Sequence, residues 1–323
     1  MAQPRLNTAL NEGLLTLPNG RIAVLRPPVG YDLSEVPRDA LWISHGFAPD
    51  HAYWADAGYD VGPQPGDLAA VIVVVPRSKA LARAMVAQAV EMAPLVIVDG
   101  QRTDGVDSLF KEMRKRLGDI SSVPKAHGRL FWFDTPGPIP EWKAAFSKSP
   151  DGYVTQPGVF AEGGTDKGSA QLIAALPAKL GTHVGDLGSG WGYLGSEVLK
   201  THPEIARLEM IEAEHLAVEC AGQNVTDPRA ISHWADATTW RPQTPFDTII
   251  TNPPFHTSRA ADPGLGQAFI AAAAKMLVKH GHLWLVANRH LPYEAALGDH
   301  FGRVEEIGGT GGFKLFHAHR PKP

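Results

Sequence analysis

The sequence THVGDLGSGWGYLG, residues 182–195, gives the strongest indication of the fold. Residues 182–187 predict a short strand that runs into a glycine-rich turn, and the residues from Tyr193 onward have the spacing of a helix. A strand, a tight turn and a helix in this order predict a parallel α/β sheet that binds ligands at the carboxyl ends of its strands. The Gly190-x-Gly192-x-x-Gly195 spacing also matches the dinucleotide pattern, which by itself is a weak signal.

The same alternation of strands and helices extends outward into two blocks. Residues 71–75, 95–98 and 130–133 predict strands of a first block, with helices between them. The second block predicts seven strands, of which the last two pair as an antiparallel edge hairpin; they span residues 182–187, 207–211, 230–234, 246–251, 283–287, 303–307 and 312–317. Pro136, Pro138 and Pro140 interrupt the chain between the blocks, because prolines this dense fit neither a helix nor a central strand. We therefore predict two tandem α/β domains, residues 1–145 and 146–323.

Composition excludes several classes of protein. The 323 residues hold 30 Lys and Arg against 34 Asp and Glu, which excludes a strongly cationic nucleic-acid coat protein but not an enzyme with a local basic patch. The single cysteine, Cys220, excludes an intrachain disulfide, and it is expected to face polar neighbours on a helix and to serve packing. No apolar run reaches the ~20 residues of a membrane helix. We expect a cytoplasmic protein.

Three acidic residues follow predicted strands of the second block. Asp186 precedes the glycine turn and suits a ligand with a cationic or hydrogen-bond-donating group. Glu212 lies 22 residues after Gly190, close to the ~20-residue spacing of an acid that binds ribose hydroxyls. Asp236, followed by Ala237, can accept a hydrogen bond from an adenine amino group, although an Asp that stabilises a turn is nearly as good an interpretation. Together they predict an adenosine-containing ligand.

The sequence FDTIITNPPFH, residues 246–256, indicates the chemistry. Two prolines hold the backbone rigid after a strand, so that the side-chain oxygen of Asn252 and the carbonyl of Pro253 aim at one point. Two acceptors at one point suit an exocyclic amine with two N–H donors. The ring of Phe255 offers a face on which a planar base can stack. The motif predicts transfer of a group to an amine held in a fixed orientation.

These motifs together resemble class I AdoMet-dependent methyltransferases. More narrowly they resemble the "methyltransferase small" group of ribosomal RNA guanine-N2 methyltransferases, with the small-subunit methyltransferase C family nearest and its large-subunit relative next. The segments that carry the resemblance are PGVF (157–160), DKGS (166–169), DLGSGWG (186–192), NPPFH (252–256), VANRHLPY (286–293) and GFK (312–314). Trp191 is bulky for such a turn, and Glu212 stands where an Asp is more readily expected.

The resemblance implies two tandem Rossmann-like methyltransferase folds, AdoMet as the cofactor and ribosomal RNA or a ribosomal subunit as the partner. It implies that the first domain lacks a cofactor and serves RNA docking or folding, and that the second is catalytic. The implied cofactor-binding residues are Asp186, Gly188, Gly190, Glu212, Asp236, Ala237 and Asn252. The implied catalytic residues are Asn252, Pro253, Pro254 and Phe255, and Phe160 and Phe255 are implied to contact the substrate.

Other features of the sequence bear on partners. Lys111, Arg114 and Lys115 cluster on one predicted helix and are candidates for RNA contact, with a solvated helix face as an equally good interpretation. The pairs His280-x-His282 and His317-x-His319 lack further ligands at metal-site spacing, so we expect no metal. We expect a monomer.

Two other functions stay open at this point. A protein glutamine-N5 methyltransferase uses the same Asn-Pro-Pro chemistry on a side-chain amide, but Phe255, His256 and the tandem domain favour RNA. A non-catalytic RNA-binding or ribosome-assembly factor could retain the fold, but the cofactor turn and the catalytic tetrapeptide are intact. A nicotinamide oxidoreductase is disfavoured by Asp186, which would repel a pyrophosphate.

Overall fold

The computed structural model describes residues 5–254 and 263–323. It consists of two compact units that divide between Ala145 and Phe146. Each unit is built on its own large β-sheet.

The first unit is built on a six-stranded sheet. Its elements in chain order are α1 (Arg5–Asn11), β1 (Ile22–Leu25), β2 (Leu41–Ser44), α2 (Ala48–Asp56), β3 (Ala70–Val74), α3 (Lys79–Met92), β4 (Leu95–Gln101), α4 (Val106–Leu117), β5 (Ser121–Lys125) and β6 (Gly128–Asp134). The strand order is β2-β1-β3-β4-β6-β5. Strands β1 to β4 are parallel to one another, and β6 runs antiparallel to both β4 and β5.

The second unit contains a seven-stranded sheet and a separate pair of two-residue strands. Its elements in chain order are β7 (Ser147–Lys148), β8 (Val154–Thr155), α5 (Lys167–Ala175), β9 (His183–Leu187), α6 (Tyr193–Thr201), β10 (Arg207–Glu212), α7 (His215–Asn224), β11 (Ala230–Trp234), β12 (Phe246–Thr251), α8 (Pro263–Met276), β13 (Leu277–Asn288), α9 (Glu294–His300), β14 (Phe301–Gly308) and β15 (Phe313–Pro321).

The large sheet has the order β11-β10-β9-β12-β13-β15-β14. The first five strands are parallel, and β15 runs antiparallel to both β13 and β14. This confirms the predicted α/β class, the mostly parallel seven-stranded sheet and its antiparallel edge hairpin.

The sheet of the second unit is buried on both faces. Successive residues of a strand point to opposite faces, and Ile249 and Ile250 of β12 accordingly enter two different apolar clusters. The cluster around Ile249 includes Phe269 and Ile270 of α8, and the cluster around Ile250 includes Leu194 of α6. Helices on both faces leave the strand ends as the open positions for a ligand.

Cys220 is fully buried on α7, in a cluster with Val159, Trp191 and Ala217. Burial raises the pKa of its thiol to about 11, and a hydrogen bond with the Gln156 side chain opposes that rise. The thiol therefore has a polar neighbour, as expected, but it lies mainly among apolar side chains, which fits a packing role.

Candidate active site

Four neighbouring parallel strands end at one edge of the second sheet. The register pairs Leu187 of β9 with Ile211 of β10 on one side and with Thr251 of β12 on the other. Glu212, the last residue of β10, pairs with Trp234 of β11. The glycine turn, Glu212 and Asn252 therefore lie at the ends of adjacent strands.

The glycine turn adopts a backbone that other residues rarely adopt. Gly188, Gly190 and Gly192 have φ angles of +71°, +55° and +90°. The amide nitrogens of Gly188 and Ser189 donate to the carbonyl of Ile211 at 2.8 and 3.2 Å. A methyl group added at Gly190 would meet no atom within 4 Å, so this side of the turn is open to a ligand.

Trp191 turns away from that open side. Its side chain is buried and packs against the rings of Tyr153 and Tyr193, with centroid distances of 4.7 and 5.8 Å. The bulky residue therefore supports the turn from behind and occupies no ligand space.

Asp186 is a buried carboxyl group with one unused oxygen. Its Oδ2 accepts a hydrogen bond from the amide nitrogen of Gly195 at 3.1 Å, whereas its buried Oδ1 has no partner in the described part of the chain. Burial raises the pKa of Asp186 to about 8, the Gly195 N–H opposes that rise, and the charge of Glu212 adds to it. An unpaired buried acceptor fits a ligand that brings a cation or an N–H donor, as the ammonium of AdoMet does.

Glu212 is half-buried and braces the turn with both oxygens. Oε2 accepts from the amide nitrogen of Gly190 and Oε1 from that of Glu214, each at 2.8 Å. Burial raises the pKa of Glu212, and the two N–H groups oppose the rise. Since each carboxylate oxygen has a second lone pair, both remain able to accept from ribose hydroxyls.

Asp236 lies two residues after β11 and forms a local turn. Its Oδ1 accepts from the amide nitrogen of Thr238 at 2.8 Å and from the hydroxyl of Thr238 at 2.7 Å. Ala237 is buried. Asp236 therefore does stabilise a turn, through Oδ1. Its Oδ2 is the oxygen that could contact a ligand.

The side chain of Asn252 is held in one orientation. Its Nδ2 donates to Oδ1 of Asp166 and to Oγ of Ser169, both at 2.9 Å. Asp166 caps α5, since the same Oδ1 accepts from the amide nitrogen of Ser169 at 2.9 Å. Because the amide nitrogen faces Asp166 and Ser169, the amide oxygen of Asn252 points the other way.

The prolines that follow lie against the glycine turn. Pro253 is buried and Pro254 is exposed. The position of a Cβ at Gly188 is 3.7 Å from Cδ of Pro254, so the two motifs approach each other directly. Phe255, the fourth residue of the predicted catalytic group, lies outside the described residues.

Two predicted substrate elements lie on other parts of the chain. Phe160 lies on a turn anchored by Glu162, whose side chain accepts from the amide nitrogen of Gly158 at 3.0 Å, and 55% of Phe160 is exposed. Lys111, Arg114 and Lys115 belong to α4 of the first unit. They line a depression of about 450 Å³, where Arg114 pairs with Asp119 at 2.7 Å.

The contact of Asp166 and Ser169 with Asn252 was missed from the sequence. The signal that could have found Asp166 is its position as a helix-capping residue three before a serine. That signal predicts a helix start, but it does not predict a contact with a residue 86 positions further along the chain.

Two absences hold for the part of the chain that the structure describes. No group of three or more His, Cys, Asp or Glu side chains there could hold a metal ion. No helix in residues 5–254 or 263–323 has both the length and the apolar character needed to cross a membrane.

Comparison with known proteins identifies relatives over most of the chain. The ribosomal RNA small subunit methyltransferase C of Shewanella pealeana is 31% identical over 76% of this chain and 76% of its own length. The protein of the same name from Hahella chejuensis is 28% identical over 94% of this chain and 95% of its own length.

A solved structure shares the whole fold. The T. thermophilus 16S rRNA N2 G1207 methyltransferase (RsmC), in complex with AdoMet and guanosine, superposes with a TM-score of 0.79 at 24% identity and covers 95% of this chain and 90% of its own. The sequence model of the methyltransferase small domain matches residues 152–317. The chain therefore belongs to the methyltransferase small domain family of AdoMet-dependent enzymes, among the ribosomal RNA small subunit methyltransferases C.

Proposed function

We propose that this protein transfers the methyl group of AdoMet to the exocyclic N2 amine of guanine in ribosomal RNA. The observation that carries the proposal is the orientation of Asn252. Its amide oxygen is turned away from Asp166 and Ser169, at the end of the strand next to the glycine turn. The T. thermophilus relative was solved with AdoMet and guanosine, which are the donor and the acceptor that such an edge would hold.

Each cofactor residue has a distinct role in this proposal. Asp186 receives the cationic methionine end with its unpaired Oδ1. Gly190 leaves open space for close approach of the ligand, Gly188 contributes its backbone to the turn beside Pro254, and Glu212 accepts from the ribose hydroxyls. Asp236 and Ala237 border the adenine, and Asn252 closes the site beside the reacting methyl group.

The chemistry needs orientation more than acid–base assistance. AdoMet, when bound, supplies an electrophilic methyl group on a positively charged sulfur. The Asn252 oxygen and the Pro253 carbonyl accept the two N–H groups of the target amine, which turns its lone pair out of the ring plane. The same two oxygens stabilise the positive charge that develops on the nitrogen. Pro253 and Pro254 keep this backbone rigid, and the role that we propose for Phe255 is to stack on the base.

The first unit is proposed to lack a cofactor. The end of its strand β4 is filled by side chains of the chain itself. Arg5 Nε donates to Asp99 Oδ1 at 2.5 Å, and the hydroxyl of Tyr31 donates to Asp99 Oδ2 at 2.8 Å. All three side chains are buried, so this carboxylate is paired with a cation of its own unit and is shielded from a ligand.

RNA docking is proposed for α4 of that unit. Lys111, Arg114 and Lys115 are exposed and line one depression. Three cations at this spacing suit phosphate groups, and their contribution should fall as salt rises. We propose that Phe160, exposed on its turn, contacts the substrate.

The oligomeric state, the compartment and the substrate complete the proposal. We propose a monomer that acts in the cytoplasm on ribosomal RNA or on a ribosomal subunit. Light scattering of the purified protein tests the monomer, and a mass of twice the chain would contradict it.

Methyl transfer from tritiated AdoMet tests the reaction. Naked 16S RNA, 30S particles and 50S particles from a host that lacks this gene are assayed in parallel, followed by nucleoside mass spectrometry. We expect N2-methylguanosine with one of these substrates, and with Asn252→Ala its formation should slow about a hundredfold but stay measurable. Label on a protein glutamine, or AdoMet binding with no transfer to any RNA, would contradict the proposal.

A further inference from the structure

We propose that Asp166 and Ser169 are positioning residues that keep the amide oxygen of Asn252 directed at the target amine. The inference rests on the proposed function and adds to it the device that sets the geometry of the reaction. Both residues act through Asn252 and are not themselves expected to touch the base.

A free carboxamide can rotate by half a turn about its last bond and exchange its oxygen for its nitrogen. With the nitrogen presented, Asn252 would offer donors to an amine that is itself a donor, and the amine could not be held. The side chain must therefore be fixed in one of two arrangements of nearly equal shape.

The structure provides acceptors for both N–H groups of Asn252. Oδ1 of Asp166 and Oγ of Ser169 lie 2.9 Å from Nδ2, and two N–H donors match two acceptors. A carboxylate oxygen cannot donate, so contact with Asp166 assigns the nitrogen to this side. Rotation of the amide would break both hydrogen bonds and place an oxygen against a carboxylate.

The acceptors are themselves held in place. Ser169 is buried, and its backbone nitrogen donates to Asp166 Oδ1 at 2.9 Å. Gly168 lies between them, and a Cβ at that position would be 2.8 Å from the ring of Phe313. The first turn of α5 is therefore packed against β15 and cannot shift without disturbing the sheet.

The variants separate orientation of Asn252 from capping of α5. Asp166→Asn retains an oxygen for both hydrogen bonds, because the same Oδ1 serves Asn252 and Ser169. Asp166→Ser still caps the helix, but its shorter side chain does not reach Asn252. Ser169→Ala removes the second acceptor, and Ser169→Thr retains it.

The experiment measures kcat, KM for RNA and the AdoMet dissociation constant of each variant on the substrate that the wild-type protein methylates. We expect Asp166→Asn and Ser169→Thr to stay within about threefold of wild-type kcat. Asp166→Ser and Ser169→Ala should each lose about tenfold in kcat, with AdoMet affinity unchanged, because misplacement of about 1 Å can cost up to a hundredfold.

A double-mutant cycle with Asn252→Ala distinguishes an effect that acts through Asn252 from general damage to the structure. In the Asn252→Ala background, Asp166→Ser and Ser169→Ala should cause no further loss, because the group that they orient is gone. Equal losses in both backgrounds, or wild-type kcat in Asp166→Ser, would overturn the inference. If the wild-type protein methylates no guanine N2, it is the proposed function that fails instead.

Discussion

The hydroxyl of Thr251 donates a 2.7 Å hydrogen bond to the backbone carbonyl of Leu187, and both residues are buried. This bond joins the last residue of β12 to the last residue of β9. Asn252 directly follows Thr251, and Gly188 directly follows Leu187. The bond therefore fixes the position of Asn252 relative to Gly188.

Thr251→Val should loosen this connection without changing the volume of the side chain. We expect a loss of about 1 kcal/mol in the free energy of unfolding, because one buried hydrogen bond is removed. The kcat for methyl transfer should fall several-fold, whereas AdoMet affinity should change little. Urea unfolding and single-turnover kinetics check this, with Thr251→Ser as the control that keeps the hydroxyl. Unchanged kcat would show that the strand ends are aligned by the sheet alone.

Gly190 and Gly192 should respond to alanine in different ways. Both have positive φ, which costs an alanine roughly 1–2 kcal/mol. A methyl group at Gly190 enters open space, so Gly190→Ala should fold and lose at least about tenfold in AdoMet affinity, since that space belongs to the ligand.

Gly192→Ala is the matched comparison. Its Cβ would lie 2.8 Å from Cγ2 of Val225. The free energy of unfolding of the unliganded protein should therefore fall by roughly 2 kcal/mol or more. Thermal unfolding without ligand and titration calorimetry with AdoMet measure the two effects. Equal cofactor affinity of Gly190→Ala and wild type would place the ligand elsewhere.

Glu212→Gln should lower both the stability of the protein and its affinity for AdoMet, because it removes a hydrogen-bond acceptor as well as a charge. The two oxygens of Glu212 accept from the amide nitrogens of Gly190 and Glu214, and a glutamine would turn an NH₂ group toward one of these donors. We expect a loss of about 1–3 kcal/mol in stability and at least about a tenfold rise in the AdoMet dissociation constant. Calorimetry and thermal unfolding measure both quantities.

Glu214→Gln is the control for that prediction. The backbone nitrogen of Glu214 donates to Glu212, and a glutamine keeps that N–H, so this variant should leave AdoMet affinity within about twofold, which is less than 1 kcal/mol of binding free energy. A larger effect of Glu214→Gln than of Glu212→Gln would reverse the roles given to the two residues.

The second unit was predictable because its signals are local. Apolar runs, glycine turns and helical spacing each fall within a dozen residues, and the parallel register then brings Gly188, Glu212 and Asn252 to one edge. The predicted strand 230–234 and the predicted strand 246–251 match β11 and β12 in both bounds. The predicted strand 283–287 is too short, because β13 begins at Leu277, directly after α8, and continues through Gly281, a residue that usually marks a turn.

The start of the first unit was not predicted, because its elements are stabilised by distant partners. Helix α1 buries Arg5, which is placed by Asp99, 94 residues away. Strands β1 and β2 have four residues each and are too short for a clear periodic pattern. The hydrogen bond between Asn252 and Asp166 could not be predicted for the same reason, since sequence spacing carries no information on a contact across the sheet edge.

The protonation of Asp186 should make the stability of the protein depend on pH. Its pKa is raised to about 8 by burial, so at pH 7 about nine tenths of the unliganded protein carries the proton. The unfolded chain, with an ordinary carboxyl pKa near 3.9, has lost that proton. Because the folded state binds more protons across this window, the contribution of Asp186 to stability falls as the pH rises from about 4 toward 8.

A cationic ligand on Asp186 should reverse this preference, because it stabilises the ionised carboxylate. AdoMet binding at pH 7 should therefore release nearly one proton, and its affinity should rise with pH up to about 8. Calorimetric titrations in buffers of different ionisation enthalpy measure the released proton directly. Asp186→Asn should abolish most of the release and weaken binding, whereas the same proton release in wild type and Asp186→Asn would assign the titration to Glu212, whose pKa burial also raises.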